Sequence, residues 1–422
     1  MMNIKQKAKR QIRGLFLHSL RRAARPVLRY RATPPDLAKP PQRLLVLRPD
    51  HLGDLLMTTP ALSLLRHALP KTEITALVGP WGAASLQNNS DVDNIVRCEF
   101  PGFSREPKAN PFAPYLYALE QSRILRQSGY EAAINFRYDF WWGALLTYLA
   151  DIPVRIGYDW PEAHSFLTHR LPFQAKSGNF LPSLNQLPNF GQPSQHSAAL
   201  NLALAHYTLQ QYQINSDPYL SEQQITRMKY YPAAEDLRYV NLNLSEWGVG
   251  RKEKVVVIHP GSGATLKLWT VEGFAAVADA LAERYNTKVV LAGGEGESVL
   301  LKNIVKTCQS DPLHWETSGG FGRLAALFAR CDLVIGLDSG PLHLAVAVGT
   351  PTIHLFGPTD PTIFGPWGDP TRHRIVRTDV DLPCCPCGVL DFERGCWKGG
   401  YCLRTIKVSQ VLQVVEELLE KR

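Results

Sequence analysis

Five short segments hold residue types that bind or activate charged substrates. In the first, Arg48-Pro-Asp-His-Leu-Gly-Asp54, a guanidinium, an imidazole and two carboxylates fall within one stretch. Asp54 is expected near a helix N-terminus, facing the crevice beyond a strand's carboxyl end, and the dense set of Arg48, Asp50, His51 and Asp54 in one loop points to function. The plainer alternative is a helix cap, a common use of Asp where a helix begins. The second segment is His259-Pro-Gly-Ser-Gly-Ala-Thr-Leu-Lys-Leu-Trp269. Its small residues let the backbone approach a phosphate, and Lys267 can neutralise the charge. It lacks the spacing of a Walker A loop, and an ordinary glycine turn explains it equally well.

The third segment, Leu291-Ala-Gly-Gly-Glu-Gly-Glu297, offers Glu295 or Glu297 as an acceptor for ribose hydroxyls. The fourth is the most informative. Cys331-Asp-Leu-Val-Ile-Gly-Leu-Asp-Ser-Gly-Pro-Leu-His-Leu-Ala345 reads as strand, turn and helix. Pro341 suits a first helical position. Ser339 and Gly340 would then sit at a helix N-terminus, where backbone N–H groups attract anions. Asp338 repels a phosphate if it faces one, so it is expected to hold the loop or a sugar hydroxyl. His343, on the same turn, is a donor candidate or a structural histidine. The fifth segment carries Cys384, Cys385, Cys387, Cys396 and Cys402. Four thiolates could close a zinc site, but the paired C-x-x-C spacing is missing. Reduced structural thiols are the preferred expectation, with no metal.

Each motif follows a strand signal. Arg43–Arg48, 74–78, 132–136, 255–258, 288–291, 333–336 and 351–356 are apolar runs of strand length. Helix-length segments separate them, as in a parallel sheet covered by helices. The apolar run from Asp54, Trp141 to Ala150, and Ala198 to about Gln213 read as helical. Residues 174–197 read as a polar loop, and 232–252 as a linker. The domains are expected at 43–240 and 250–405, followed by a C-terminal helix over 406–422. Hydrophobic residues make up 45% of the 422 and charged residues 20%, a globular composition with no run long enough to span a membrane. Eight cysteines are too few for a disulfide scaffold.

The net charge of +8 is localised. Ten of the 46 Lys and Arg lie in residues 1–31 with no acid, leaving 36 against 38 acids, a net of −2, in the rest. Ile4, Ala8, Ile12, Leu15, Leu20, Ala23, Val27 and Leu28 follow a helical period, so 1–32 reads as a basic amphipathic helix. Such a helix suits an anionic membrane surface; packing on the protein body is the alternative. No base-reading motif accompanies the charge, so no nucleic-acid partner is expected.

Taken together, Arg48-Pro-Asp-His-Leu-Gly-Asp54 with Thr59-Pro60, His259-Pro-Gly-Ser-Gly263 with Lys267 and Trp269, and Asp338-Ser-Gly-Pro-Leu-His343 with Phe356-Gly-Pro-Thr-Asp360 resemble the ADP-heptose:lipopolysaccharide heptosyltransferases of glycosyltransferase family nine. The Cys-Pro-Cys loop and Cys402-Leu-Arg-Thr-Ile406 also resemble the family, and the likeness covers roughly residues 43–420. It implies an α/β protein of the GT-B fold, two Rossmann-like domains facing a cleft. The N-terminal domain would bind a lipid-linked glycan acceptor and the C-terminal domain a nucleotide-sugar donor. It implies an inverting transfer without metal or other cofactor, Asp54 as base, and a donor site of Ser262, Gly263, Lys267, Glu297, Asp338, Ser339, Gly340 and His343. Arg48, Asp50 and His51 are acceptor-side candidates. The expected location is the cytoplasmic face of the membrane, with residues 1–31 as the peripheral contact. Two other readings fit the fold alone: a nucleotide-sugar epimerase, and a non-catalytic glycan- or lipid-binding protein.

Overall fold

The computed structural model describes residues 14, 17, 19, 37–103, 110, 112–173, 196–214, 227–316, 320–390 and 396–420. The chain forms two six-stranded parallel sheets. The first contains β1 (Arg43–Arg48), β2 (Glu73–Val78), β3 (Asn94–Arg97), β4 (Ala132–Asn135), β5 (Val154–Asp159) and β6 (His169–Pro172), in the order β3-β2-β1-β4-β5-β6. The second contains β7 (Val255–His259), β8 (Lys288–Gly293), β9 (Leu313–Glu316), β10 (Leu333–Leu337), β11 (Thr352–Leu355) and β12 (His373–Val376). Its order, β12-β11-β10-β7-β8-β9, is the same winding read from the other edge.

Burial on both faces makes the central strands continuous apolar runs. In β7 (VVVIH) and β10 (LVIGL) every residue is buried. From residue 37 on, the helices among the described residues are α1 (Leu52–Leu56), α2 (Thr59–Ala68), α3 (Ala113–Gln127), α4 (Trp141–Leu149), α5 (Ser197–Gln211), α6 (Ala234–Glu246), α7 (Val271–Tyr285), α8 (Ser298–Thr307), α9 (Gly320–Arg330), α10 (Gly340–Ala347) and α11 (Val408–Leu419), with further single turns at Pro361–Phe364 and Tyr401–Arg404. One apolar cluster runs through both halves: Leu55, Leu56 and Met57 belong to it, as do Leu342 and Leu344.

Three sequence expectations are corrected. The helical run from Asp54 is two helices, because Pro60 has no N–H to donate and is accommodated only in a first turn; α2 restarts there. The expected linker at 232–252 contains α6, which buries Val240 and Leu244 and packs against α9. Its polar sequence conceals a narrow apolar stripe. In the loop expected at 174–197, Ser197 already begins α5 and His196 caps it, while 174–195 lie outside the described residues. Of the basic segment 1–32, only Gly14, Leu17 and Ser19 are described. They are helical, and Leu17 is buried with Leu45 and Leu47 of β1. Strands β3, β5, β6, β9 and β12 were not foreseen.

Candidate active site

In open parallel sheets, ligands collect beyond the carboxyl ends of the strands, where the strand order reverses. The reversals lie between β1 and β4, and between β7 and β10. The loops leaving β1, β7 and β10 are the ones that carry the first, second and fourth motifs. The two crevices face each other across a cavity of about 740 Å³.

The N-terminal wall is α1. Its N-cap is His51, and Asp54 follows in the first turn; Asp54 is therefore not the cap. Its side chain is 30% exposed and lines the cavity. Arg48 stands behind it, buried, with its Nη2 3.5 Å from the Asp54 carboxylate and its Nε 2.7 Å from Asp50. Asn201 of α5 accepts from the same guanidinium at 3.0 Å. Asp50 is buried too, and a second guanidinium, Arg137 from the loop after β4, pairs with it. Neither Arg48 nor Asp50 lines the cavity; they form the support behind it. His51 is exposed in the cavity, its ring tilted on Trp81. Burial raises the Asp54 carboxyl above the ordinary carboxylate range. The Asp50 charge adds to the rise, while Arg48, Arg137 and His343 oppose it.

The C-terminal wall begins with the start of α10. Ser339 is its N-cap and Gly340 its first residue. Asp338 is buried and held by three groups: Lys267 Nζ at 2.6 Å, the Thr359 hydroxyl, which donates at 2.7 Å, and His343 Nε2 at 3.7 Å. These partners outweigh burial and keep its carboxyl far below the usual range. Asp338 thus ties the β7 loop, the β11 loop and α10 together, the loop-holding role anticipated for it. Lys267 lines the cavity and reaches it through this anchor. Ser262, Gly263 and Glu297 line it as well. The Glu297 carboxylate accepts the Gly294 N–H at 2.7 Å and packs against Gly261. Glu295 is exposed, so of the two acids Glu297 faces the site.

Among the described residues, Ser262 Oγ, Ser339 Oγ and His343 Nδ1 are buried on this wall without a hydrogen-bond partner. Leaving such groups unpaired costs about 1–3 kcal/mol each, which a polar ligand would recover. The walls nearly touch at one point. A Cβ added at Gly53 would lie 2.9 Å from His343 Cδ2 and 3.3 Å from Gly340 Cα. Glycine at 53 is what lets α1 and α10 meet there. A second interdomain contact is His196, whose Nε2 lies 3.0 Å from the Gly365 carbonyl and whose ring rests on Trp367.

The structure thus brings Asp54, His51 and all eight donor-side candidates to one cavity. Sequence reasoning missed Arg137, Asn201, Trp81 and Phe321. None lies within the five motifs, although glycines flank Trp81 (Gly79, Gly82) and Phe321 (Gly320, Gly322), and only the topology carries them to the site.

A pair of facing Rossmann-like domains with the reactive groups split across the cleft is the GT-B architecture. The chain belongs to glycosyltransferase family 9 (heptosyltransferase), whose family model matches residues 118–389; it is an enzyme that transfers a sugar. Lipopolysaccharide heptosyltransferase 3 of Escherichia coli is 29% identical over 356 residues, covering 79% of this chain and 93% of that protein. The crystal structure of the glycosyl transferase family 9 from Veillonella parvula shares the fold at a TM-score of 0.71 and 23% identity, over 90% of this chain and 98% of that one. E. coli ADP-heptose LPS heptosyltransferase II does so at 0.65 and 17%, over 90% and 99%. Family membership sets aside the epimerase and the silent binding protein.

Proposed function

We propose that this enzyme transfers heptose from ADP-heptose to the core sugars of lipopolysaccharide, with inversion and with Asp54 as the base. The observation that carries the reading is the placement of Asp54 opposite the Lys267–Asp338–Ser339 wall of a single cavity. An acceptor hydroxyl beside Asp54 loses its proton to the carboxylate as its oxygen attacks the anomeric carbon. The bond to the diphosphate breaks on the opposite side, through an oxocarbenium-like transition state. A carboxyl raised above its ordinary range is a stronger base for that step. Charge then grows on the departing diphosphate, which Lys267 and the first turn of α10 meet from positions fixed before reaction. Ser262, Ser339 and His343 supply the unpaired polar groups for the phosphates and ribose, and Glu297 a carboxylate for a ribose hydroxyl. No step calls on a metal.

Support for donor and acceptor comes from the relatives, which are named for lipopolysaccharide and, in one case, for ADP-heptose. The acceptor is lipid-linked, and the ten basic residues of 1–31 fit a peripheral contact with the anionic cytoplasmic face of the membrane. No helix among the described residues is long and apolar enough to cross a membrane.

The test is to incubate the full-length protein with a panel of nucleotide sugars and heptose-deficient lipopolysaccharide, reading ADP release and the mass of the glycan. The proposal expects heptose addition from ADP-heptose alone. Transfer from a uridine-linked sugar instead, or a gain in mass other than a heptose, refutes it.

A further inference from the structure

A second cavity, of about 700 Å³, lies beyond the amino ends of β11 and β12, at the opposite edge of the sheet from the cleft. Among the described residues none lines both cavities. The eight residues of α10 hold the two about 12 Å apart: its first turn forms the donor wall, and its last residues line the second cavity.

The charge of this lining is one-sided. Arg227, Lys229 and Arg372 face a single carboxylate, Asp369. That carboxylate is turned to its own loop, where its Oδ1 accepts the Thr371 N–H at 2.8 Å and the Thr371 hydroxyl at 2.7 Å. Cations gather at helix carboxyl ends to offset the dipole, and Arg372 does so, donating to the Gly349 carbonyl at 2.7 Å. Arg227 and Lys229 do not: among the described residues their head groups have neither a hydrogen-bond nor an ion-pair partner. The fourth polar group is His373, which is 8% exposed. Its Nδ1 pairs with the Thr352 hydroxyl at 3.0 Å. Its Nε2 has no partner among the described residues, and that edge of the ring faces Gly368 of the lining, where an added Cβ would stand 3.0 Å from Nε2. Burial, and after it the Arg372 and Arg227 charges, push the His373 pKa down to about 4. The imidazole is therefore neutral and surrounded by positive potential that nothing nearby consumes.

We propose that Arg227, Lys229, Arg372 and His373 form a second binding site, for a phosphate-bearing anion, at the junction of the two domains. The guanidiniums offer planar forks that match phosphate oxygens, and Lys229 adds a point charge. An anion in the cavity selects the His373 tautomer with its proton on Nε2, Thr352 then donating to Nδ1. The volume is that of an ordinary small-ligand site, about 300–1,000 Å³. Its place gives the ligand a hold on both domains. The stretch 227–231 is a strap between them: the Lys229 N–H donates to Thr59 Oγ1 of α2 at 3.0 Å, and the Tyr230 N–H donates to the Ala347 carbonyl of α10 at 3.2 Å. Trp367, also in the lining, carries the His196 contact from the other domain. A bound anion ties the strap to the start of β12 and fixes the far end of the helix whose first turn forms the donor wall. Which sugar is transferred has no bearing on this site.

The experiment is calorimetric titration of the full-length protein with inorganic diphosphate and, separately, with a phosphorylated core oligosaccharide and its phosphatase-treated form. Binding of diphosphate identifies a free anion as ligand; binding of the phosphorylated oligosaccharide alone identifies a glycan-borne phosphate. In either case Arg227→Ala and Lys229→Ala should each weaken binding by about tenfold, the worth of one hydrogen bond to a charged group. Asp369→Asn, which removes the one carboxylate and keeps the capping oxygen, should tighten it. Lys267→Ala, on the cleft wall, should leave it intact. The wild-type titration and the gain in Asp369→Asn decide the matter even if an alanine variant does not fold. No binding of either phosphate-bearing probe, equal binding in folded Arg227→Ala and Lys229→Ala, or binding abolished by Lys267→Ala overturns the proposal.

Discussion

The contact between α1 and α10 predicts a specific effect for Gly53→Ala. The Gly53 backbone is one that any residue adopts, and alanine is favoured over glycine inside a helix by roughly 0.5–1 kcal/mol. On local grounds the substitution should stabilise. The added Cβ, however, would lie 2.9 Å from His343 Cδ2 and 3.3 Å from Gly340 Cα. The first is about half an ångström inside ordinary contact. His343 has little room to yield, being buried with its Nε2 3.7 Å from Asp338 and its ring centroid 5.9 Å from that of His354. Gly340 yields still less, being main chain at the start of α10. Overpacking of this kind costs about 1–3 kcal/mol, so the balance is a net loss of about 1–2 kcal/mol or a parting of the two walls. A parting of about half an ångström moves Asp54 from the donor wall. Since a misplacement of about 1 Å can cost about 10²-fold, kcat should fall by roughly tenfold. The assay is steady-state transfer together with a thermal melt. A Gly53→Ala enzyme with full turnover and a raised melting temperature would show that the two walls do not meet as described.

Asp50→Asn removes one of the charges that raise the Asp54 carboxyl, and it takes a carboxylate partner from Arg48 and Arg137, although Arg137 keeps its pair with Asp139 at 2.6 Å. Both changes favour ionised Asp54, so the acid limb of kcat/KM against pH should move to lower pH; an upward shift contradicts the electrostatics. The same variant should lose up to about 3–5 kcal/mol of stability, the usual cost of breaking a buried ion pair, measurable by urea unfolding. His196 gives a pH-dependent prediction. Its Nδ1 accepts the Ala198 N–H at 3.1 Å, which places its proton on Nε2, facing the Gly365 carbonyl. Burial lowers its pKa to about 4. The unfolded chain, with an imidazole near 6.5, then binds the proton more readily, so His196's stabilisation is complete above about pH 6.5 and is lost as the pH falls towards 4. The loss amounts to about 3 kcal/mol. Unfolding midpoints across that range should fall less steeply in His196→Gln than in the wild type, and parallel curves would exclude His196 as a source.

Much of this architecture was legible because buried parallel strands write themselves as unbroken apolar runs. Val255–His259 and Leu333–Leu337 are examples, and the motifs that follow them sit where a Rossmann-like winding places ligands. Two of the missed strands, β3 and β6, explain themselves in the same terms, whereas β5 is buried at all but its last position and is interrupted in sequence by Arg155 and Gly157. Asn94–Arg97 is exposed at every position, and His169–Pro172 is a short edge strand with one buried residue, so neither carries an apolar run. Helix α6 was read as a linker because most of its side chains face water. Within the site, sequence identified the groups on the cavity walls but not their supports. Arg48 reads as a free cation in sequence; in the fold Asp50, Asp54 and Asn201 hold it. Arg137 lies 83 positions from Asp54 and reaches it only through the adjacency of β1 and β4. The cysteine spacing reads as reduced thiols, and spacing does not reveal that five of them, Cys384, Cys385, Cys387, Cys396 and Cys402, line one pocket.

The central claim is that Asp54 on one domain removes the acceptor proton while the other domain holds the donor. Turnover and ADP affinity measured side by side in Asp54→Asn test it most directly. The amide keeps the shape of the side chain and faces a donor wall it does not contact. ADP should therefore bind within about twofold of wild type, while kcat falls by about 10²–10⁴-fold, the usual worth of a positioned base. Near-wild-type transfer by a folded Asp54→Asn enzyme would contradict the account.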